Sequence, residues 1–371
     1  MADKKRKIVI KVGTSTLTGG SSRLHQPRML DLVRQVAALL QKNEKVCLVS
    51  SGAIAAGKEV LEFPQLQKTI PAKQMLAAVG QPRLMNLYEQ YFRIYGYSVA
   101  QILLTREDIS DRKRYLNARS TLNSLLEQNV VPIINENDSV ATEEIHIGDN
   151  DNLSAMVASL VDAALLVLLT DKEGLFTADP SHDANAELIE TIQGDEIPAS
   201  IWEAAEGSKN GLGTGGMATK LEAAETARRS GTMTVIASGE LPDVLLRIAS
   251  GESIGTRILP AVDTLESRKR YMLAGAGKNN AVVIDSGAES ALMSGGSLLP
   301  VGIKKVSGQF DRGEIITVME KGGRAVSLGL ANYSSEDIRK IMGCQSQQIE
   351  GLLGYVIGDE VIHHNNMVLL K

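Results

Sequence analysis

Three segments of this chain gather side chains that could handle charge in transit. "VVPIINENDSVATEEIHIGDNDNLSA" (130–155) begins as an apolar run. It then sets Glu136, Asp138, Glu143, Glu144, Asp149 and Asp151 among Asn135, Asn137, Asn150 and Asn152. That density of carboxylates and amides suits a cation, an ammonium group or a metal-bound phosphate; a solvated loop is the plainer alternative. "GLGTGGMATK" (211–220) places Gly213, Gly215 and Gly216 just before a helical pattern, with Thr214 and Lys220 beside them. Glycines admit close backbone approach and a helix start offers unpaired N–H groups, so the segment reads as a phosphate cradle, against the alternative of a capped, flexible loop. Lys11, in "IKVGTS", closes an apolar run, where a snorkelling strand-end lysine is the ordinary reading. Either lysine alone says little. Two lysines, glycine loops and carboxylates on one rim point to phosphoryl transfer, where catalysis is mostly positioning and charge neutralisation.

Other chemistries find less support. "GAIAAGK" (52–58) fits G-x-x-x-x-G-K, but Glu59 stands where a Ser or Thr should meet magnesium. "GLGTGG" fits G-x-G-x-x-G, but "EGSKN" precedes it and not a strand. His25, His146, His182, His363 and His364 have no metal-ligand spacing and read as surface residues. A net charge of -5 over 371 residues argues against nucleic acid or an anionic membrane as the main partner. Cys47 and Cys344 build no disulfide framework, which fits a reducing cytoplasm. Lys11 interrupts the N-terminal apolar run, so no signal peptide is expected, and no apolar run reaches membrane-spanning length.

The elements that must position these groups alternate. Strands are expected at 7–13, 45–52, 97–105, 130–137, 164–171 and 232–239. Helical patterns lie between them, including "RMLDLVRQVAALLQKN" (28–43) and "MATKLEAAETARRSG" (217–231). In "KQMLAAVGQPRLMNLYEQYFRIYG", Pro82 predicts a break or kink. Near-continuous apolar strands alternating with helices predict an α/β fold with an open, mostly parallel sheet between helices. Ligands of such sheets bind beyond the carboxyl ends of the strands, where "KVGTST", "SSGAIAAG", "NENDS" and "TDKEG" all fall. Near residue 262 the pattern changes to short strands with Gly-rich turns. The expected division is a first domain at 1–262, a linker at 263–277 and a small, mainly β domain at 278–371 that ends in the helical "SSEDIRKIMG".

"IKVGTSTLTGG", "VSSGAIAAG", "LLTREDISDRKRYLNAR", "PIINENDSVATEEIHIGDNDNLSA", "LLTDKEGLFTADP" and "GLGTGGMATK" closely resemble the glutamate 5-kinases of the amino acid kinase family. The tail from Lys278, clearest in "SLLPVGIKKVSGQFDRGEII", looks like a PUA module. The resemblance implies phosphorylation of the side-chain carboxylate of L-glutamate by ATP with Mg2+, the first step of proline biosynthesis. It implies catalytic roles for Lys11 and Lys220, oriented by Asp151. It implies glutamate binding by Ser51, Asp138 and Asn150. ATP binding would fall to Lys11, Thr170, Asp171 and the run Thr214, Gly215, Gly216, Met217, Ala218, Thr219 and Lys220. It names no metal ligand. It further implies inhibition by proline, delivery of product to glutamate-5-semialdehyde dehydrogenase and a homo-oligomer, a dimer or tetramer. Phe176 and Ala218 depart from the tyrosine and serine of some relatives, and neither carries a proposed charge.

A carboxylate nucleophile with a pKa near ~4.3 is ionised at neutral pH, so no general base is required. Two rivals are separable. Acetylglutamate, aspartate or carbamate as acceptor would share the fold, and fold does not give the substrate. RNA binding through the tail fits poorly, because residues 278–371 carry nine Lys and Arg against ten Asp and Glu.

Overall fold

The computed structural model describes residues 5–67, 69–141, 150–180, 183, 185–194, 196–206, 216–261, 266–267, 269, 272–273 and 279–370. They divide into two compact units, one of residues 1–110 and 117–264, the other of 111–116 and 265–371.

In the first unit an eight-stranded sheet has the order β3-β4-β2-β1-β5-β7-β8-β6. Its strands are β1 (Lys7–Val12), β2 (Lys45–Ser50), β3 (Val99–Leu104), β4 (Val131–Glu136), β5 (Leu165–Thr170), β6 (Thr191–Ile192), β7 (Met233–Ser238) and β8 (Thr256–Ile258). The six longer strands run parallel, as the apolar runs predict. β8 turns antiparallel to β7, and β6 pairs with β8. Neither short strand is expected from the sequence, because two or three residues carry no readable alternation. β1 is the centre: β2 lies on one side and β5 on the other. The chain therefore reverses its direction of winding across β1, which places the ligand crevice over its carboxyl end.

Helices cover both faces: α1 (Thr14–Thr18), α2 (Gln26–Gln41), α3 (Ala53–Val60), α4 (Ile70–Ile94), α5 (Arg106–Ser110), α6 (Arg112–Glu127), α7 (Asn150–Val161), α8 (Ala199–Glu206), α9 (Met217–Arg229) and α10 (Val244–Ala249). Ile8, Ile10 and Val12 join side chains of α2, α4 and α10 in one buried cluster. Strand alternation then turns Val9 and Lys11 to the opposite face, the one covered by α7. Pro82 does not break α4, which runs unbroken for 25 residues. Proline removes one N–H, but Leu76, Ala77, Leu84, Leu87, Tyr88 and Phe92 are buried along the helix and hold it in place. α3 and α4 cross with almost nothing between them. A Cβ added at Gly57 would lie 1.9 Å from the Leu76 carbonyl oxygen, and one at Gly80 would lie 1.8 Å from that of Ala53.

The second unit holds a five-stranded sheet in the order β10-β9-β11-β12-β13. β9 is Ala281–Ile284, β10 Ile303–Ser307, β11 Ile315–Met319, β12 Ala325–Leu330 and β13 Met367–Leu369. α11 (Ser286–Met293), α12 (Ser335–Ile341) and α13 (Ile349–Leu353) accompany it. Its core includes Val282, Leu298, Ile316, Val318, Tyr333 and Ile338. The chain does not end at the helix predicted from "SSEDIRKIMG". It goes on to β13, which pairs antiparallel with β12. Tyr333, fully buried, donates its hydroxyl to the Gly358 carbonyl at 2.6 Å and accepts from Ile357 and Gly358 N–H, pinning the return loop. Among the described residues of both units, no helix is long and apolar enough to cross a membrane.

Candidate active site

Lys11 is next to last in β1, paired in register with Val49 and Leu168. The residue is 5% exposed and its ammonium reaches Asp151 Oδ1 at 2.5 Å. Asp151 stands in the first turn of α7, where a helix start favours a negative charge. Its other oxygen accepts from Lys220 Nζ at 3.2 Å and from Thr219 Oγ1 at 2.8 Å. Lys220 and Thr219 come from the first turns of α9, whose N-cap is Gly216. Two helices thus start at the same point above β1, one bringing the carboxylate and the other the second lysine. The structure thus brings Lys11, Lys220 and Asp151 into direct contact.

Burial alone would raise the Asp151 carboxyl, which is wholly inaccessible. The ammonium groups of Lys11 and Lys220 and the Thr219 hydroxyl override it and hold the group down at about 2. The charges of these three side chains sum to +1 in a water-poor setting. Charge of that sign, with the start of α9 beside it, favours an anion with dispersed negative charge, as a phosphoryl group in transfer has.

Thr170 and Asp171 close β5. Thr170 is buried and its hydroxyl donates to Asp171 Oδ1 at 3.0 Å, while Asp171 is exposed. Gly216 is exposed, and Met217, Ala218 and Thr219 are half-buried. Thr214 and Gly215, with Gly211 and Gly213 of the same segment, lie outside the described residues, as do Glu143, Glu144, His146, Asp149 and His182. Most of the expected linker 263–277 also lies outside them.

The other predicted residues gather on the β4 side of Lys11. Ser51 follows β2, and its N–H donates to the Val12 carbonyl at 3.0 Å. Gly52 then adopts φ 102°, open to glycine and costly for other residues, and starts α3. Asn150 is buried and donates to Ser51 Oγ at 2.9 Å and to Asn135 Oδ1 at 2.9 Å. Asp138 lies in the turn after β4, half-buried, and burial pushes its carboxyl up to about 6. The arrangement offers an acidic group, a hydroxyl and amides next to the lysine pair, the needs of a zwitterion with a third, reactive end. Sequence reasoning gave no role to Asn135 or Gln81, which are buried and bonded to each other at 3.0 Å. The only hint was an amide placed where an apolar strand ends. Cys47 is buried in β2, and burial pushes its thiol up to about 12, so it acts as a small apolar side chain.

No three His, Cys, Asp or Glu side chains converge on a common point among the described residues. Magnesium is usually held by one or two carboxylates together with phosphate oxygens and waters.

Residues 6–238 match the model of the amino acid kinase family, and residues 280–353 that of the PUA domain. A glutamate 5-kinase of Photobacterium profundum is 51% identical over 99% of this chain and 97% of its own length. A glutamate 5-kinase of Shewanella oneidensis is 50% identical over 98% of both chains. Among solved structures, a carbamate kinase of Giardia lamblia bound to AMP-PNP covers 69% of this chain and 99% of its own. Its TM-score is 0.50 at 16% identity, a likeness of fold. With its catalytic unit matched almost throughout and full-length relatives half identical, the chain belongs to the amino acid kinase family, in the group of the glutamate 5-kinases.

Proposed function

We propose that the chain transfers the γ-phosphoryl group of ATP to the side-chain carboxylate of L-glutamate, giving L-glutamyl 5-phosphate for proline biosynthesis. The observation that carries this reading is the pair of buried lysines sharing Asp151, with the neighbouring Asn150 bonded to Ser51 and Asn135. A carboxylate oxygen attacks the γ-phosphorus in line, and the bond to the ADP oxygen breaks. Lys11 and Lys220 offset the charge on the phosphoryl oxygens, and Asp151 holds both in place. The nucleophile enters ionised, so no general base is required. Mg2+, when bound with the nucleotide, would neutralise phosphate charge.

Glutamate lies with its ammonium at Asp138 and its α-carboxylate at Ser51 and the start of α3, where backbone N–H groups face out. Anchoring that end directs the other carboxylate to the lysines, so the choice of carboxylate follows from geometry. Thr170, Asp171 and the segment 214–220 take the nucleotide. This chemistry falls within residues 1–262, and residues 278–371 take a role in assembly or regulation. Proline, which shares the α-amino and α-carboxylate groups, competes at the same end. A homo-oligomer and transfer of the labile product to glutamate-5-semialdehyde dehydrogenase complete the reading.

The test is ADP release with ATP and Mg2+ and each of glutamate, acetylglutamate, aspartate and carbamate, with hydroxylamine to trap an acyl phosphate. Hydroxamate with glutamate alone is expected. Turnover with another acceptor only would overturn the substrate and the role of Asp138. Proline is expected to slow the reaction most at low glutamate.

A further inference from the structure

Resting on the glutamate reading, we propose that Asn135 and Gln81 are positioning residues that set the hydrogen-bonding polarity of the amino acid pocket. The chain of inference starts from one atom whose role is fixed. The backbone N–H of Glu136 donates to one terminal atom of the Asn135 side chain at 2.9 Å. A backbone N–H can only donate, so that atom is the oxygen and the other is the nitrogen. Every neighbour then follows. Asn150 reaches the same Asn135 oxygen at 2.9 Å and must do so with its nitrogen. Its second hydrogen goes to Ser51 Oγ at 2.9 Å. On the far side, Asn135 Nδ2 donates to Gln81 Oε1 at 3.0 Å, and Gln81 Nε2 to Gln101 Oε1 at 3.3 Å. A single backbone hydrogen therefore orients four side-chain amides, two on strands (Asn135 of β4 and Gln101 of β3) and two on helices (Gln81 of α4 and Asn150 of α7).

Two consequences meet at the pocket. Asn150 Oδ1 is buried and has no hydrogen-bond partner among the described residues, so it presents an acceptor. Ser51 Oγ already accepts from Asn150, so its own hydrogen is left to donate. Acceptor and donor, side by side, match an ammonium and a carboxylate on one carbon. Turned over, the Asn150 amide would set N–H groups against the ammonium. Asn135 and Asn150 are each 3% exposed and Gln81 8%, so water cannot readily repair a reversed link.

The test uses the full chain and the hydroxamate assay. Asn135→Leu keeps the volume and removes both links. Its glutamate KM is expected to rise about tenfold or more, with kcat and the ATP KM within about threefold. Gln81→Met is expected to raise the glutamate KM in the same way. Gln81→Glu, which still accepts from Asn135, is expected to recover most of that loss. Competitive inhibition by glutarate, which lacks the ammonium, should be weakened less than glutamate binding. The proposal is overturned if both Asn135→Leu and Gln81→Met leave the glutamate KM within about twofold of the parent, or if all kinetic constants fall together as in a misfolded pocket. If Asn135→Leu does not fold, the Gln81 pair decides alone. An unmodified chain that forms no hydroxamate with glutamate would instead overturn the functional reading, and with it the role of the relay.

Discussion

In the proposed reading, the two halves of the site solve opposite problems. On the phosphoryl side, Lys11, Lys220 and Asp151 are charged, almost inaccessible and in direct contact. On the amino acid side, Asn135, Asn150, Gln81 and Ser51 are neutral, and Asp138 is the acidic group assigned to the edge. Charge suits a group whose own charge is spread and moving, because Coulomb attraction is long-ranged and tolerant of direction. Neutral amides suit a group that must be held in one orientation, because hydrogen bonds weaken steeply with angle. The comparison teaches that the first half depends on net charge and the second on polarity.

Changes that separate charge from polarity should therefore act on one half at a time. The largest effect is expected from Asp151→Ala, which leaves two ammonium groups buried without their carboxylate. Removing one member of a buried ion cluster costs about 3–5 kcal/mol, to be read as a lower urea midpoint at pH 7. In the unaltered chain the same group gives acid sensitivity. Its folded value of about 2 lies below the ordinary 3.8, so it adds stability above pH 3.8 that is lost as pH falls through about 2. That contribution is roughly 2 kcal/mol, and acid unfolding curves of the parent and Asp151→Asn should differ in this window.

Next come Lys11→Ala and Lys220→Ala. By comparison with the loss of a donor to a developing oxyanion, kcat should fall about 10²–10³-fold. The glutamate KM should change little, and a large rise in it would break the division between the halves. Asp138→Asn should do the reverse, raising the glutamate KM about tenfold or more and sparing the ATP KM. In the parent, the glutamate KM should rise as pH falls through about 6, because burial holds the Asp138 carboxyl there and an ammonium needs it ionised. The sign for stability is opposite to that of Asp151. A raised carboxyl is a burden above pH 6 that protonation relieves, so Asp138→Asn should raise the Tm at pH 7 while weakening binding. The smallest effect is expected from Thr219→Val. It removes one of the hydroxyl and ammonium donors to Asp151 Oδ2, for a cost of about 0.5–1.5 kcal/mol in stability and a few-fold in kcat.

Much of this was legible in the residues because it follows from local pattern. Lys11 was conspicuous as a charge at the end of an apolar strand, and Asp151 as one of the carboxylates crowded after another. The rule that parallel sheets bind beyond their strand ends put both on one rim before any contact was known. What was not legible depends on partners far apart in the chain. The bond from Gln81 to Asn135 spans 54 residues and that from Asn150 to Ser51 spans 99. An asparagine at a strand end looks the same whether solvent or another amide faces it. The short strands β6 and β8 and the late strand β13 were missed because length, not composition, hid them. Pro82 misled because local cost was weighed without the burial that offsets it.

The crossing of α3 and α4 carries a mechanical consequence. Helices separated by a layer of side chains can slide as rotamers adjust, but here backbone meets backbone at Gly57 and Gly80. The pair is therefore a single stiff lever. One arm ends at Gly52 and Ser51, and the other carries Gln81 and, through the 2.8 Å contact of Tyr88 with Ser50, grips the end of β2. A push on the outer surface of α4 reaches the hydroxyl and the amides together, so this part of the pocket shifts in register or not at all.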